Sequence, residues 1–357
     1  MNTIKKSQNN ISDKPMVYCG LPVVPKRILS SDVNPNRASF ILEFGDKWLS
    51  GTELTYCFLQ KTSDAELDIV RKAFKIWRDL GIGISFREVI SPSQAMIRIA
   101  FARGKGAWSY IGRYIQKISI SEPTMNFGWD LVEDGDHGVD TAIHEIGHTL
   151  GLHHEHQNPN SGIVWNEKEV IKYFSGGPNY WDESAIRRNI LDKLNPNDVR
   201  GSVWDKDSVM HYAFRAGLID KPEMYRTAPL RPAGGVSPLD KQWVLQTYPP
   251  SSALTPVESL QLLKSVSYNI APGQQKEFIF EPPYTRVYTI QTFGTSDSIL
   301  ALYEKDDQSW RYVTADDDSG QDFNAKISRR LYEGRTYSVR LRLYYVDRPG
   351  ETALMVS

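Results

Sequence analysis

Cysteine is scarce in this sequence: only Cys19 and Cys57 occur among 357 residues. Two cysteines exclude a disulfide-stapled scaffold and a cysteine-built zinc finger, and leave room for one disulfide. Charge of either sign is nearly balanced, with a formal net charge of -1. That gives no basis for nucleic acid or an anionic membrane as partner. No run approaches the ~18 consecutive apolar residues of a membrane-spanning helix. Met1 to Pro15 is polar and holds no apolar h-region, so no secretory signal is expected there. A leader already removed, another export route and an intracellular protein all fit that observation. No internal repeat of fixed period is evident.

Histidine is what the sequence concentrates. Five of its seven histidines, His144, His148, His153, His154 and His156, fall in one short stretch. Solvated surface histidines would be scattered.

The surrounding chain divides by pattern. Residues 1–38 are polar and proline-punctuated, and read as an N-terminal extension, a candidate propeptide. Residues 39–250 mix strand and helix signals. Leu54–Leu59 is apolar and β-rich. Ser63-Asp-Ala-Glu66 reads as a capping box opening a helix with Leu67, Val70, Phe74 and Trp77 on one stripe, stopped at Gly81. Met96–Phe101 and Lys117–Ser121 alternate as strands. A helix is expected over Val139–Leu150, short helices near Asn166 and Asp182, and another from Ser237-Pro-Leu-Asp240 to about Tyr248. After a proline-rich break, residues 258–357 show about seven short strands with turns between them, the pattern of an all-β sandwich. The expected fold class is α+β, followed by that sandwich.

On a helix, i and i+4 share a face, so His144 and His148 can present two imidazoles to one ion. Glu145 lies at the same edge without being a ligand, and can take a proton from water activated by zinc. Gly151 lets the chain leave the helix in a left-handed turn, returning His154 as third ligand. The pattern His-Glu-x-x-His-x-x-Gly-x-x-His is far more specific than its first half alone. A surface helix with incidental histidines, or a closed structural zinc site, has no use for Glu145. His153 and His156 miss the ligand spacing and read as supporting polar residues; His137 and His211 read as ordinary histidines.

The extended motif resembles that of the metzincin metallopeptidases. Asp207-Ser-Val-Met-His-Tyr212 is similar to their methionine turn, which sets Met210 beneath the metal, and its Ser-x-Met-His-Tyr form resembles astacins. The resemblance implies a twisted mixed sheet with an active-site helix, and one catalytic Zn2+ held by His144, His148 and His154. It implies Tyr212 as a further ligand that swings away to stabilise the oxyanion. Trp108-Ser-Tyr-Ile-Gly-Arg113 with Gln116–Ile120 is similar to the segment leading into the edge strand that binds peptides by β-augmentation. Phe40–Trp48 is similar to the start of mature astacin domains, and Glu155 to a glutamate that contacts the mature N-terminus. The chain departs from astacins at Ala107, where a cysteine is usual, and at Gln157–Asn160, so substrate preferences do not carry over.

Val17-Tyr-Cys-Gly-Leu-Pro22 resembles the cysteine switch of matrix metallopeptidase propeptides, although Tyr18 and Val23 replace the expected arginine and aspartate. Three readings of Cys19 stand side by side: a latency ligand on the zinc, a disulfide partner of Cys57, and an inert packed thiol. The C-terminal strands resemble the pre-peptidase C-terminal domains that follow secreted bacterial peptidases. Asp316–Asp318 with Asp322 offers oxygen ligands for Ca2+, a solvated acidic turn being the simpler reading. The expected function is a secreted zinc endopeptidase of protein or peptide substrates, made as a zymogen. Glu145 is the general base and Tyr212 the second catalytic group. The rivals are an inactive binding or adhesion protein, against which Glu145 argues, and a toxin cleaving a single host protein. Cleavage specificity and oligomeric state are not legible.

Overall fold

The computed structural model describes residues 18–24, 47–194, 203–250, 257–306, 309–317, 319–322, 324–344 and 349–357. Most of the expected extension, and Phe40 to Asp46 within the proposed domain start, lie outside the described residues. The chain is α+β, with a mixed sheet and helices first and a β-rich region after them.

In the first region β1 (Thr52–Phe58), β2 (Ile84–Glu88), β3 (Ile97–Ala100), β4 (Trp108–Ser109) and β5 (Met125–Asn126) form one sheet in the order β2-β1-β3-β5-β4. All pairs are parallel except β5 with β4, which is antiparallel and leaves β4 at the edge. A parallel neighbour requires a crossover, and α1 (Asp64–Asp79) supplies the one between β1 and β2. Val70, Phe74 and Trp77 of its expected stripe are buried, each contributing roughly 1.5–3 kcal/mol of transfer free energy. Gly81 leaves at φ +83°. The expected capping box forms only by half. Ser63 accepts from the Glu66 amide, but the Glu66 carboxylate turns to Thr62, Arg103 and the Leu131 amide.

Lys117–Ser121 is not a strand. Gly112–Lys117 forms a 3-10 turn, and residues 118–121 follow without strand pairing. Buried Arg98 on β3 explains this. Its guanidinium donates to the carbonyls of Ile118, Ser119 and Glu122 at 2.7–3.1 Å, curling the segment and consuming the acceptors a strand would pair.

The second helix, α2 (Asp136–Thr149), starts three residues before the expected Val139. Three buried aromatic donors fix it. Trp77 Nε1 donates to Ile143 O at 3.0 Å, Trp48 Nε1 to Thr149 O at 2.8 Å and Tyr248 OH to Leu150 O at 2.6 Å. The last two satisfy carbonyls that a helix C-terminus leaves without partners. Two helices follow as expected, α3 (Glu167–Ser175) capped by Asn166 and α4 (Glu183–Ile186) capped by Asp182. A short pair, β6 (Val164–Trp165) and β7 (Ile219–Lys221), then precedes α5 (Pro238–Thr247), whose capping box between Ser237 and Asp240 is complete.

Among the described residues the β region has nine strands, β8 (Glu258–Ser259), β9 (Val266–Ile270), β10 (Gln275–Phe280), β11 (Arg286–Phe293), β12 (Ser298–Asp306), β13 (Ser309–Asp316), β14 (Lys326–Leu331), β15 (Tyr337–Leu343) and β16 (Gly350–Val356). They make two sheets, β13-β12-β15-β10-β8 and β14-β11-β16-β9. Leu300, Leu302, Val339 and Leu341 of one sheet share a core with Tyr288, Ile290, Ile327 and Leu354 of the other. Strand periodicity sends alternate side chains to the opposite face. On β12 these are Ile299, Ala301 and Tyr303, which pack around Leu49 and Tyr344. On β15 they include Arg340, buried over the Tyr303 ring, and Arg342, which donates to Thr247 O at 3.2 Å. Thr52 Oγ1 meets Tyr303 OH at 2.6 Å, and Gln275 donates to Ser50 O at 2.7 Å. The sandwich therefore rests on the segment entering β1. Asp316 accepts from Ser319 and the Lys326 amide, which describes an acidic turn.

Candidate metal centre

The last turns of α2 carry His144 and His148, and Gly151 at φ +85° reverses the chain so that His154 faces them. Imidazole centroids of the three lie 4.6–5.3 Å apart. Each helical histidine has its inner nitrogen committed. His144 Nδ1 donates to Val209 O and His148 Nδ1 to Leu152 O, both at 2.8 Å. That fixes the tautomer and turns both Nε2 lone pairs inward, as metal-ligating histidines require.

His148 Nε2 and His154 Nε2 face each other at 3.0 Å. His144 Nε2 and Glu145 Oε1 are buried without a hydrogen-bond partner among the described residues. The three histidines and Cys19 place four donor atoms within 4.8 Å of one another. Three imidazole nitrogens and one sulfur, all buried, suit a borderline-soft tetrahedral ion such as zinc.

Burial governs the protonation states. It holds His144 down at about 4 and His148 and His154 well below the usual imidazole range. The imidazoles are thus neutral, as ligation needs. The same desolvation pushes Glu145 up to about 8, against a lowering contact from Cys19. Burial first, and Glu145 second, raise the Cys19 thiol well above its usual range. A cation among these donors opposes both effects, since its charge favours thiolate and carboxylate.

Below the histidines, Ser208–His211 makes a tight turn, with His211 N donating to Ser208 O at 3.0 Å. Asp240 from the first turn of α5 holds it, accepting Ser208 Oγ at 2.7 Å and Val209 N at 2.8 Å. Met210 is buried there, its sulfur against the α2 backbone at Gly147. The turn delivers Tyr212, whose hydroxyl lies 2.8 Å from His154 Nε2 and donates to Cys19 O.

Residues 18–21 cross this centre. Cys19 Sγ lies 3.6 Å from Glu145 Oε2 and 3.7 Å from His148 Nε2. Both cysteines are free, so a Cys19–Cys57 disulfide is ruled out. Gly20 N donates to Ala107 O at 3.2 Å and Leu21 N to Asn189 Oδ1 at 3.1 Å. Glu155 accepts from Asn158 and from Asp205 N. His156 and His211 are buried support. His156 donates to Asn189 O and stacks on His154, while His211 donates to Tyr212 O. The sequence signalled Asp240 only as a helix cap. It gave no signal for Asn189, Asn179 or the aromatic wall around Tyr18, which come together from distant segments.

A Glu-bearing helix with two inward imidazoles, a third histidine after a glycine turn and a methionine turn beneath define a metzincin-type peptidase fold. The Astacin peptidase family model matches residues 41–222, about half the chain, and the chain belongs to that family. It is 31% identical over 188 residues to Zinc metalloproteinase nas-36 of Caenorhabditis briggsae, covering 52% of this chain and 26% of that protein. It is 38% identical over 119 residues to Blastula protease 10 of Paracentrotus lividus, covering 32% and 16% respectively. The chain thus spans about a quarter or less of the length of these curated relatives. The solved structure of myroilysin is similar at 30% identity and a TM-score of 0.53, covering 58% of this chain and 97% of that one. Among the described residues no helix is long and apolar enough to cross a membrane.

Proposed function

We propose that this chain is a zinc endopeptidase of protein substrates, held latent by its own residues 18–22. The observation that carries the reading is the Glu145 carboxylate, with one oxygen unpaired among the described residues, buried beside three neutral imidazoles whose ligand nitrogens converge. His144, His148 and His154 would hold one zinc ion, which supplies Lewis-acid activation of water and of the scissile carbonyl. Glu145 takes the proton of the attacking water at a carboxylate oxygen and returns it to the leaving amine. Tyr212 donates its hydroxyl to the developing oxyanion. Its present bond to the Cys19 carbonyl supports that role, since the acceptor is already a peptide oxygen.

Latency rests on Cys19, whose sulfur stands among the donors while its thiol donates to Glu145. Sulfur as fourth ligand occupies the position water needs. We assign the boundaries 1–38, 39–250 and 258–357 to extension, peptidase domain and accessory sandwich. An extracellular setting belongs to the same proposal, supported by the likeness of the C-terminal strands to domains that follow secreted bacterial peptidases.

Casein degradation by zinc-loaded Cys19→Ala protein, with and without chelator, tests the activity. Chelator-sensitive cleavage faster than that of the intact chain is expected; no cleavage by either removes the enzyme reading. Cobalt-substituted protein tests latency separately. Thiolate-to-cobalt absorption present in the intact chain and absent in Cys19→Ala is expected, and identical spectra remove the switch.

A further inference from the structure

Tyr18 enters a shaped pocket immediately beside the metal centre. The side chain is 4% exposed. Its ring meets Phe174 edge-on at 4.7 Å, Tyr212 at 5.3 Å and Tyr173 at 6.3 Å, and stacks against Phe214 at 6.0 Å. Its hydroxyl donates to Ala213 O at 2.9 Å, and its amide donates to Asn179 Oδ1 at 3.2 Å.

Apart from the Cys19 thiol at Glu145, the rest of the segment is held through its backbone. Cys19 is gripped through its carbonyl by Tyr212, Gly20 through its amide by Ala107 O, and Leu21 through its amide by Asn189. Residues 18–24 form no helix or strand of their own, so the cleft holds them as it would hold any extended peptide. Apart from Cys19 facing Glu145, the one side chain read by a closed cavity is Tyr18.

We propose that this pocket is a substrate subsite for an aromatic side chain, tyrosine above all, on the residue flanking the bond that is cut. The inference rests on the peptidase reading and adds its specificity. Four aromatic rings favour a flat ring through edge and stacking contacts of about 0.5–1.5 kcal/mol each. The Ala213 carbonyl gives a phenol its acceptor, and a side chain without a donor leaves that buried acceptor unpaired. A carboxylate would meet the carbonyl oxygen with a second acceptor. Arg215 lies 4.4 Å over the Tyr173 ring, a cation that could instead attract an acidic residue.

The test uses the full chain carrying Tyr18→Ala and Cys19→Ala, which empties the pocket, on a mixed peptide library with cleavage sites mapped by mass spectrometry. Tyrosine enrichment at one flanking position, above phenylalanine and at least about tenfold above aliphatic residues, is expected, a ratio equal to about 1.4 kcal/mol. The same enrichment should weaken with Tyr173→Ala added. A flat profile, or enrichment of acidic residues, overturns the inference and leaves the peptidase reading standing. No cleavage at all overturns both. Labelling of the Cys19 thiol gives a readout independent of activity. Tyr18→Ala should label at least about tenfold faster than the intact chain, with Tyr18→Phe between them; equal rates for all three also overturn it.

Discussion

A Cβ placed on Gly147 would lie 2.5 Å from Met210 Sδ. The methionine turn therefore presses its sulfur onto bare backbone between the two helical histidines, and the glycine is what permits the approach. Trp77 closes the other side, 3.4 Å from the same point. Gly147→Ala should destabilise the protein by about 1–3 kcal/mol through overpacking, although alanine is the better helix former. Thermal unfolding measures this, and competition with a metal indicator should show weaker zinc binding. An unchanged midpoint would mean that Met210 gives way freely.

Asp240 ties that turn to α5. One oxygen accepts Ser208 Oγ, the other the amides of Val209 and Ser237 at 2.8 and 3.0 Å. Asp240→Ala leaves three buried donors without their acceptor and should cost about 1.5–3 kcal/mol. Because His144 Nδ1 donates to the Val209 carbonyl, zinc affinity should fall with stability. Denaturant unfolding with and without zinc separates the two losses.

Arg98 organises the loop beside the edge strand through five carbonyls, those of Ala95, Met96, Ile118, Ser119 and Glu122. A lysine cannot reproduce that fork. Both Arg98→Ala and Arg98→Lys should destabilise by about 2–3 kcal/mol. Amide hydrogen exchange over residues 110–122 should accelerate selectively, because the segment has no ladder of its own.

Zinc removal should destabilise the fold, since the ligands are buried and an ion bound only by the native state adds about 4 kcal/mol at a thousandfold excess over its dissociation constant. Adding chelator should lower the unfolding midpoint of the intact protein. His144→Ala should start lower and show little further response, which differential scanning calorimetry can establish.

The peptidase helix and its ligands were readable because they are local. His144, His148 and His154 span eleven positions, and Gly151 marks the turn between them. The start of α2 was not, because Gly138 is a poor helix former. The structure shows why glycine stands there: a Cβ would lie 2.0 Å from the Leu131 carbonyl. Alternation at Lys117–Ser121 misled because Arg98, distant in sequence, claims the carbonyls. β8 has only two residues, both exposed, and β9 buries only Tyr268 and Ile270 behind polar neighbours. The Tyr18 pocket joins residues 173–174 with 212–214, a meeting no local pattern encodes.

The most direct measurement compares hydrolysis of one peptide by Cys19→Ala protein and by the same protein carrying Glu145→Gln, both with zinc content determined. If Glu145 is the general base, zinc content stays equal and kcat/KM is at least about 100-fold lower for the glutamine variant, the scale of a lost general base. Equal zinc with equal kcat/KM would contradict it.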